Sequence, residues 1–335
     1  LGGTNDYGDN VAVQPDGKIL MSGATFIGGQ AKLGMVRMNP DGSFDPAFGT
    51  AGISIIDLGP LGYNGGFEPE IVIMPDGKII VCGFCKENSN DDMFVCRLTT
   101  AGLLDNTFGT GGRVAVDMLG TNSAPDAAYA ITADVTGNIY ACGSTRTGGD
   151  PFSNDVAIIK LTPAGLLDPS FSTDGKLNLD ISGSWDFGYG IAVQSDNKIV
   201  VTGYAGLPAD FFALRLNPDG SYDPSYGSGG KVTIDIFGTN AADESWGMRM
   251  GPDGKVYLVG DGYNSAVGEF QSAVVRLTTS GVPDPSFNTD GIATFDIWPG
   301  NTEIPKDIIV LPNGKCLVGG SVGSSSQDFS VFRIN

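Results

Sequence analysis

The stretch Asn10-Val11-Ala12-Val13-Gln14-Pro15-Asp16-Gly17-Lys18-Ile19-Leu20-Met21 places two apolar runs on either side of an Asp-Gly dipeptide. Two short apolar runs joined by residues that enter positive φ cheaply form a β-hairpin. The dipeptide returns as Asp76-Gly77, Thr136-Gly137, Asp196-Asn197, Asp253-Gly254 and Asn313-Gly314, so its second residue recurs at intervals of 60, 60, 60, 57 and 60. A fixed period of this length marks a repeat architecture, in which one unit cannot bury its own faces and neighbours must stack.

The rest of the repeat follows from the same alignment. The runs flanking the dipeptide are strands A and B. Six residues past the turn stands a glycine, at Gly23, Gly83, Gly143, Gly203, Gly260 and Gly320, which reads as the end of strand B. A third run, strand C, carries one basic residue at Arg37, Arg97, Lys160, Arg215, Arg276 and Arg333. A fourth, strand D, closes at Asp57, Asp117, Asp180, Asp235 and Asp296, behind a turn of the form Asp-Pro-x-aromatic such as Asp45-Pro46-Ala47-Phe48. Four short strands per repeat, the first two apolar on both faces, predict an all-β six-bladed β-propeller of four-stranded antiparallel blades. It is expected to be a single domain, with repeats at 1–57, 58–117, 118–180, 181–235, 236–296 and 297–335.

The segments Val13-Gln14-Pro15-Asp16-Gly17-Lys18-Ile19 and Leu216-Asn217-Pro218-Asp219-Gly220-Ser221-Tyr222-Asp223-Pro224-Ser225-Tyr226-Gly227 resemble the delta-60 repeats of secreted bacterial proteins, and the likeness covers nearly the whole chain. The resemblance implies a propeller-like fold, export and surface display, often in a longer protein with a secretion-sorting domain, and no established reaction. Repeat three departs most, with Asp134-Val135-Thr136-Gly137-Asn138, so a different hairpin turn is expected there. Repeat six stops after strand C, which predicts a last blade lacking its outer strand and completed by flanking segments of the same protein. Any export signal would lie upstream.

Composition narrows the function. The 335 residues contain 51 Gly and 19 Pro, which suits many tight turns, and a net charge of −19 opposes nucleic acid and anionic membranes as partners. No apolar run approaches the roughly 18 residues of a membrane span. The chain has no histidine, which removes the Ser-His-Asp and Cys-His mechanisms and histidine zinc sites. Of the five cysteines, Cys82, Cys96, Cys142 and Cys316 lie in apolar runs and Cys85 at the start of a loop; a Cys82–Cys96 disulfide across a hairpin is the pairing to examine.

Loop lengths point to one face. From the basic residue of strand C to the aspartate of strand D is always 20 residues, whereas from the strand B glycine to the basic residue is 14, 14, 17, 12, 16 and 13. Variable loops on a fixed scaffold are where binding sites gather. This face holds Trp185, Trp246 and Trp298, the stretch Asn88-Ser89-Asn90-Asp91-Asp92 and the loop Gly148-Gly149-Asp150-Pro151-Phe152. Aromatic rings beside Asp and Asn suit a glycan, peptide or protein partner. The expected function is therefore non-catalytic binding or scaffolding outside the cell or at its surface, with a purely structural module of a larger secreted protein as one alternative.

Two further sets of residues depart from, or recur in, the pattern. Glu70 and Asp307 share one strand A position, held elsewhere by Asn10, Ala130, Gly190 and Gly247; Arg249, two residues further on than Gly247, is placed to pair with Asp307. Carboxylates lining a central opening are the alternative reading, a carbohydrate-active enzyme, although a structural ion pair is the simpler expectation. The repeated basic residues are expected to bind carboxylates or turn carbonyls of their own blades. No cofactor is expected. Asp92, Asp155, Asp210 and Asp328, each five residues before the strand C basic residue, make calcium the one metal to consider, without the spacing of an EF-hand.

Overall fold

The computed structural model describes residues 1–57, 70–87, 90–120, 125–148, 153–238, 241–323 and 328–334, with residues 86 and 87 as backbone only. The fold is an all-β six-bladed β-propeller: five sheets of four antiparallel strands and a last sheet of three. In sheets one to three, β1 (Asp6–Val13), β5 (Ile71–Ile73) and β9 (Asp126–Ala133) are the A strands, and β2 (Ile19–Ile27), β6 (Ile79–Glu87) and β10 (Ile139–Arg146) the B strands. The C strands are β3 (Gln30–Met38), β7 (Asn90–Leu98) and β11 (Asn154–Leu161), and the D strands β4 (Ile53–Ile56), β8 (Arg113–Val116) and β12 (Lys176–Leu179). Sheets four and five run β13 (Asp186–Val193), β14 (Ile199–Ala205), β15 (Asp210–Leu216), β16 (Lys231–Ile234), then β17 (Asp243–Met250), β18 (Val256–Asn264), β19 (Glu269–Leu277), β20 (Ile292–Phe295). Sheet six has β21 (Glu303–Val310), β22 (Cys316–Val322) and β23 (Asp328–Ile334). Among the described residues there is no helix, and so none long and apolar enough to cross a membrane.

The chain divides into two compact units, residues 1–151 with 157–178, and residues 152–156 with 179–335. Within each, strand A of one sheet lies on the sheet before it: β9 on β6 and β7 in the first unit, β17 on β13 to β15 and β21 on β17 to β19 in the second. In sheet five, strand B therefore has a neighbour on both faces, Val256 and Leu258 lying in the cluster shared with sheet four and Tyr257 and Val259 in that shared with sheet six, which is why such strands read as unbroken apolar runs. Each core cluster draws on two consecutive sheets, such as Phe211, Ala213 and Tyr226 with Met248, Leu258 and Val275. Burying side chains of this size contributes about 1.5–3 kcal/mol each.

The repeated basic residue joins blade to blade. Arg37, Arg97 and Arg215 each place Nε 2.7–2.8 Å from the Asp of their own turn, Asp45, Asp105 and Asp223, with both side chains buried. The lysine after the A–B turn meets the same carboxylate, Lys18 and Lys78 at 3.0 Å and Lys198 at 2.9 Å. The guanidinium then donates onward to the following repeat, from Arg37 to the Thr100 carbonyl, Arg97 to Pro163 and Arg215 to Thr279. It also lies 4.6–4.7 Å from the ring centre of Phe48, Phe108 or Tyr226. The carboxylate expected within the same blade is there, and the guanidinium reaches in addition a carbonyl of the next repeat. Lys160 and Arg276 pair likewise with Asp168 and Asp284 at 2.8 Å, whereas Arg333, in the three-stranded sheet, is exposed.

Other expectations need correction. Strand B does not end at its glycine; β2 runs four residues past Gly23, and Cys85 lies inside β6 rather than in a loop. All five cysteines are buried, and none is part of a disulfide. Cys82 stands opposite Val95 and Cys96 opposite Val81, so the two thiols are one register step apart, on alternate faces of the hairpin. The turn of repeat three keeps the common geometry, Asp134 N–H to Asn138 O and Gly137 N–H to Asp134 O, matching Gln14 with Lys18 and Gly17 with Gln14.

Candidate functional site

Each A–B ladder whose described part reaches this level contains a β-bulge: between Gly8 and Asn10, Ala128 and Ala130, Gly188 and Gly190, Ser245 and Gly247, and Pro305 and Asp307. The pairing register thus skips one residue of strand A: Asp9, Tyr129, Tyr189, Trp246 and Lys306 respectively. A bulge releases its extra residue from the alternation of the strand and re-aims it. The strand B glycine makes room for the bulge, since a Cβ at Gly203 would overlap the Phe187 carbonyl oxygen and one at Gly260 that of Glu244.

The bulge side chain meets the residue just beyond that glycine. Tyr129 Oη lies 3.1 Å from Ser144 Oγ, Tyr189 stacks on Tyr204 with centroids 5.6 Å apart and planes 20° apart, and Trp246 Nε1 donates to Asp261 Oδ1 at 2.6 Å. In the second unit these pairs join into one surface. Trp246 stands edge-on to Tyr189 at 5.1 Å and to Tyr204 at 5.6 Å, and Lys306 Nζ lies 3.9 Å from the Trp246 ring centre. Phe187 packs 5.2 Å from Tyr204, and Trp185 edge-on to Phe187 at 6.4 Å. The result is a row of largely buried rings across sheets four and five, ending at the Asp261 carboxyl and at the Lys306 ammonium of sheet six.

Electrostatics single out the carboxyl. Asp261 is 4% exposed, and burial, opposed by the Trp246 N–H and aided by neighbouring Glu244, pushes it up to about 7. Glu244, opposite it in the ladder, is also raised by burial, against the pull of Lys306. The group therefore changes charge near neutral pH while touching the largest ring of the row.

Of the residues singled out in the sequence, Trp185 and Trp246 belong to this one cluster. Trp298 does not: it is 47% exposed, with its backbone N–H bonded to Glu303. Asp91 and Asp92 lie within β7 rather than in a loop, and Asp92 is buried. The adjoining 88–89 and most of the 148–152 loop fall outside the described residues. Arg249 and Asp307 form an exposed ion pair at 2.9 Å, and Glu70 accepts the Ile131 N–H at 2.9 Å, so these groups have structural partners. Among the described residues three carboxylate trios, each with oxygens within 4.8 Å of one another, could hold a cation: Asp92, Asp117, Asp126; Asp155, Asp180, Asp186; and Asp210, Asp235, Asp243. Asp328, the fourth member of the spacing series, is exposed at the start of β23 and in none of them.

Comparison with known proteins agrees with this architecture. The profile of a family described as a domain of unknown function (DUF5122) β-propeller matches residues 14–48, 75–108, 194–226 and 251–287. This chain is a β-propeller repeat protein. The matched segments run from the A–B turn through the Asp-Pro-x-aromatic turn and so contain the inter-blade latch; Tyr189, Trp246 and Lys306 fall outside them. No curated protein matches the propeller's sequence. Among solved structures, it is similar to a protein of unknown function from Dyadobacter fermentans (12% identity, 97% of this chain and 93% of that one, TM-score 0.57). It is also similar to an ulvan lyase of polysaccharide lyase family PL25 (11%, 97% and 78%, 0.56) and to a glucose dehydrogenase (12%, 100% and 99%, 0.50). At such identities the likeness is one of fold.

Proposed function

We propose that this propeller is an exported, non-catalytic binding module of the delta-60 type, and that the row Tyr189, Tyr204, Trp246 with Asp261 and Lys306 recognises a glycan. The observation that carries the reading is the bulge: three successive A strands of the second unit each turn one extra side chain out of the ladder, and the three form a continuous surface. The partly buried rings of Tyr189 and Trp246, backed by the buried Tyr204, offer faces to sugar C–H groups, and the carboxyl and ammonium supply the directional hydrogen bonds that ring faces lack. Peptide and protein partners remain within the same surface chemistry. A glycan and peptide array probed with the purified chain, then with Tyr189→Ala and Trp246→Ala, tests the reading; a hit that both variants retain refutes it.

A second reading, a carbohydrate-active enzyme, is favoured by Asp261 alone. A carboxyl pushed up to about 7 has the protonation behaviour of a general acid. It would act from this row rather than from Glu70 and Asp307. Incubating any array hit with the chain and following new reducing or unsaturated sugar ends distinguishes the two readings: product that Asp261→Asn abolishes supports the enzyme.

A further inference from the structure

The second unit holds a carboxylate trio for which the described residues provide no cation. Asp210 opens β15, Asp235 follows β16 and Asp243 opens β17 of the next sheet; the Asp243 N–H donates to the Ala209 carbonyl at 2.7 Å, which fixes the last carboxylate beside the first. Asp243 is wholly buried. Its Oδ2 accepts the Ile236 N–H at 2.7 Å, whereas its Oδ1 has no hydrogen-bond partner among the described residues. A buried carboxylate oxygen without a donor, set among two more carboxylates, costs several kcal/mol unless a cation or a proton meets it.

Equivalent positions in the other repeats show how the chain meets this need elsewhere. In sheet one, Lys32 replaces the first aspartate and its Nζ lies 2.7 Å from Asp57 Oδ2, so a side-chain ammonium supplies the charge. Between sheets five and six the first position is Gln271, and the longer Glu303 replaces the third aspartate, taking N–H groups from Ser272, Ile297 and Trp298 and the Ser272 hydroxyl. At the other two trios a basic residue from strand D of the following sheet reaches a carbonyl at the cluster, Lys176 Nζ to Asp117 O and Lys231 Nζ to Ile181 O, each at 3.2 Å, so a cationic side chain stands beside them even though Asp126 Oδ1, like Asp243 Oδ1, has no hydrogen-bond partner among the described residues. Asp186 is also filled by donors from Ile181 and Ser182. At Asp210, Asp235 and Asp243 the corresponding strand D residue is Ile292, which has no charge.

We infer that Asp210, Asp235 and Asp243 bind a hard divalent cation, calcium by preference, which takes the place that the Lys32 ammonium holds in sheet one. Three carboxylates from three strands, with oxygens within 4.8 Å of one another, fit the oxygen-only, loosely angular coordination of calcium, and no nitrogen or sulfur donor accompanies them. The bound ion would tie strands C and D of sheet four to strand A of sheet five. Burial, with Asp235 and Asp210 nearby, raises the Asp243 carboxyl to about 6.

The test uses the full chain stripped with a chelator and titrated with calcium chloride, by calorimetry and by thermal melting. Wild type is expected to bind calcium with a Kd of about 10⁻⁴–10⁻³ M or tighter and to melt several degrees higher when saturated. Asp243→Asn, which keeps the acceptor for Ile236, is expected to weaken binding at this site at least tenfold. Asp210→Lys, which copies sheet one, is expected to remain folded and to lose the calcium-dependent rise. A wild type whose melting temperature responds to pH and not to calcium would overturn the inference, because the trio would then be met by a proton. Equal calcium responses in wild type and both variants would overturn it too.

Discussion

Trp246 donates its indole N–H to Asp261 across 2.6 Å, joining a bulge residue of one strand to a buried carboxyl of the next. The same separation of fifteen positions links Tyr129 with Ser144 and Tyr189 with Tyr204, so the contact is a property of the repeat, while its chemistry is a property of each blade. Scaffold and specificity are thereby separated at adjacent positions.

The first prediction concerns the sign of the pH response at Asp261. Its folded pKa of about 7 lies above the unfolded value of about 3.9, so its ionised form is the disfavoured one, and the associated stability is lost as pH rises between the two values. Asp261→Asn keeps an acceptor for Trp246 and removes the titration. Its melting temperature relative to wild type should therefore be higher at pH 8 than at pH 5. An equal difference at both pH values would show that the carboxyl is not raised.

The bulge should tolerate no side chain beneath it. Gly203→Ala, whose Cβ would meet the Phe187 carbonyl, is expected to cost about 3 kcal/mol in denaturant unfolding. Gly319→Ala, where a Cβ has open space, should change stability by less than about 0.5 kcal/mol.

Removing one latch should loosen two blades at once. Arg97→Leu leaves Asp105 with Lys78 and Thr107 but without its guanidinium, and the Pro163 carbonyl without its guanidinium donor, a loss of about 2–3 kcal/mol. Hydrogen exchange should rise both in β7 and in the turn around Pro163, whereas a purely local role would confine the change to repeat two.

The latch aspartates set the acid limit. Asp45 is held at about 2, chiefly by the Ala47 N–H and by Lys18, and Asp223 and Asp284 are held well below the usual carboxylate range, chiefly by Lys198 and Lys255. For a depressed carboxyl the stabilisation is complete above the unfolded value of about 3.9 and disappears as pH falls through the folded one. Unfolding should therefore begin below about pH 4, and Arg215→Leu should move that limb to higher pH in a melting series.

The latch and the sheets were legible in the sequence because the period is rigid: the twenty residues from Arg37 to Asp57 recur at Arg276 and Asp296, and a spacing that never changes reveals a scaffold. The bulge left a different trace. The glycine six residues past each turn is visible at Gly203 and Gly260, but it looks like a strand terminator until the pairing shows a carbonyl pressed against it. One extra residue in strand A changes no repeat length, so Tyr189, Trp246 and Lys306 could not be aligned as one position with a shared role. The third trio had a similar fate: Asp210 stood out five residues before Arg215, whereas Asp243 lies in the following repeat and joins it only because β17 packs on sheet four. Cys82 and Cys96 mark the reverse error, since nearness along a hairpin says nothing about which face each thiol takes until the register is known.

The most direct test of the central claim is a calorimetric titration of the strongest glycan from the array against wild type, Tyr189→Ala, Trp246→Ala and Trp298→Ala. The account predicts that the first two substitutions each weaken binding at least about tenfold, or 1.4 kcal/mol, while Trp298→Ala binds like wild type. Undiminished affinity in Tyr189→Ala and Trp246→Ala, or a loss confined to Trp298→Ala, would contradict it and move recognition away from the bulge row.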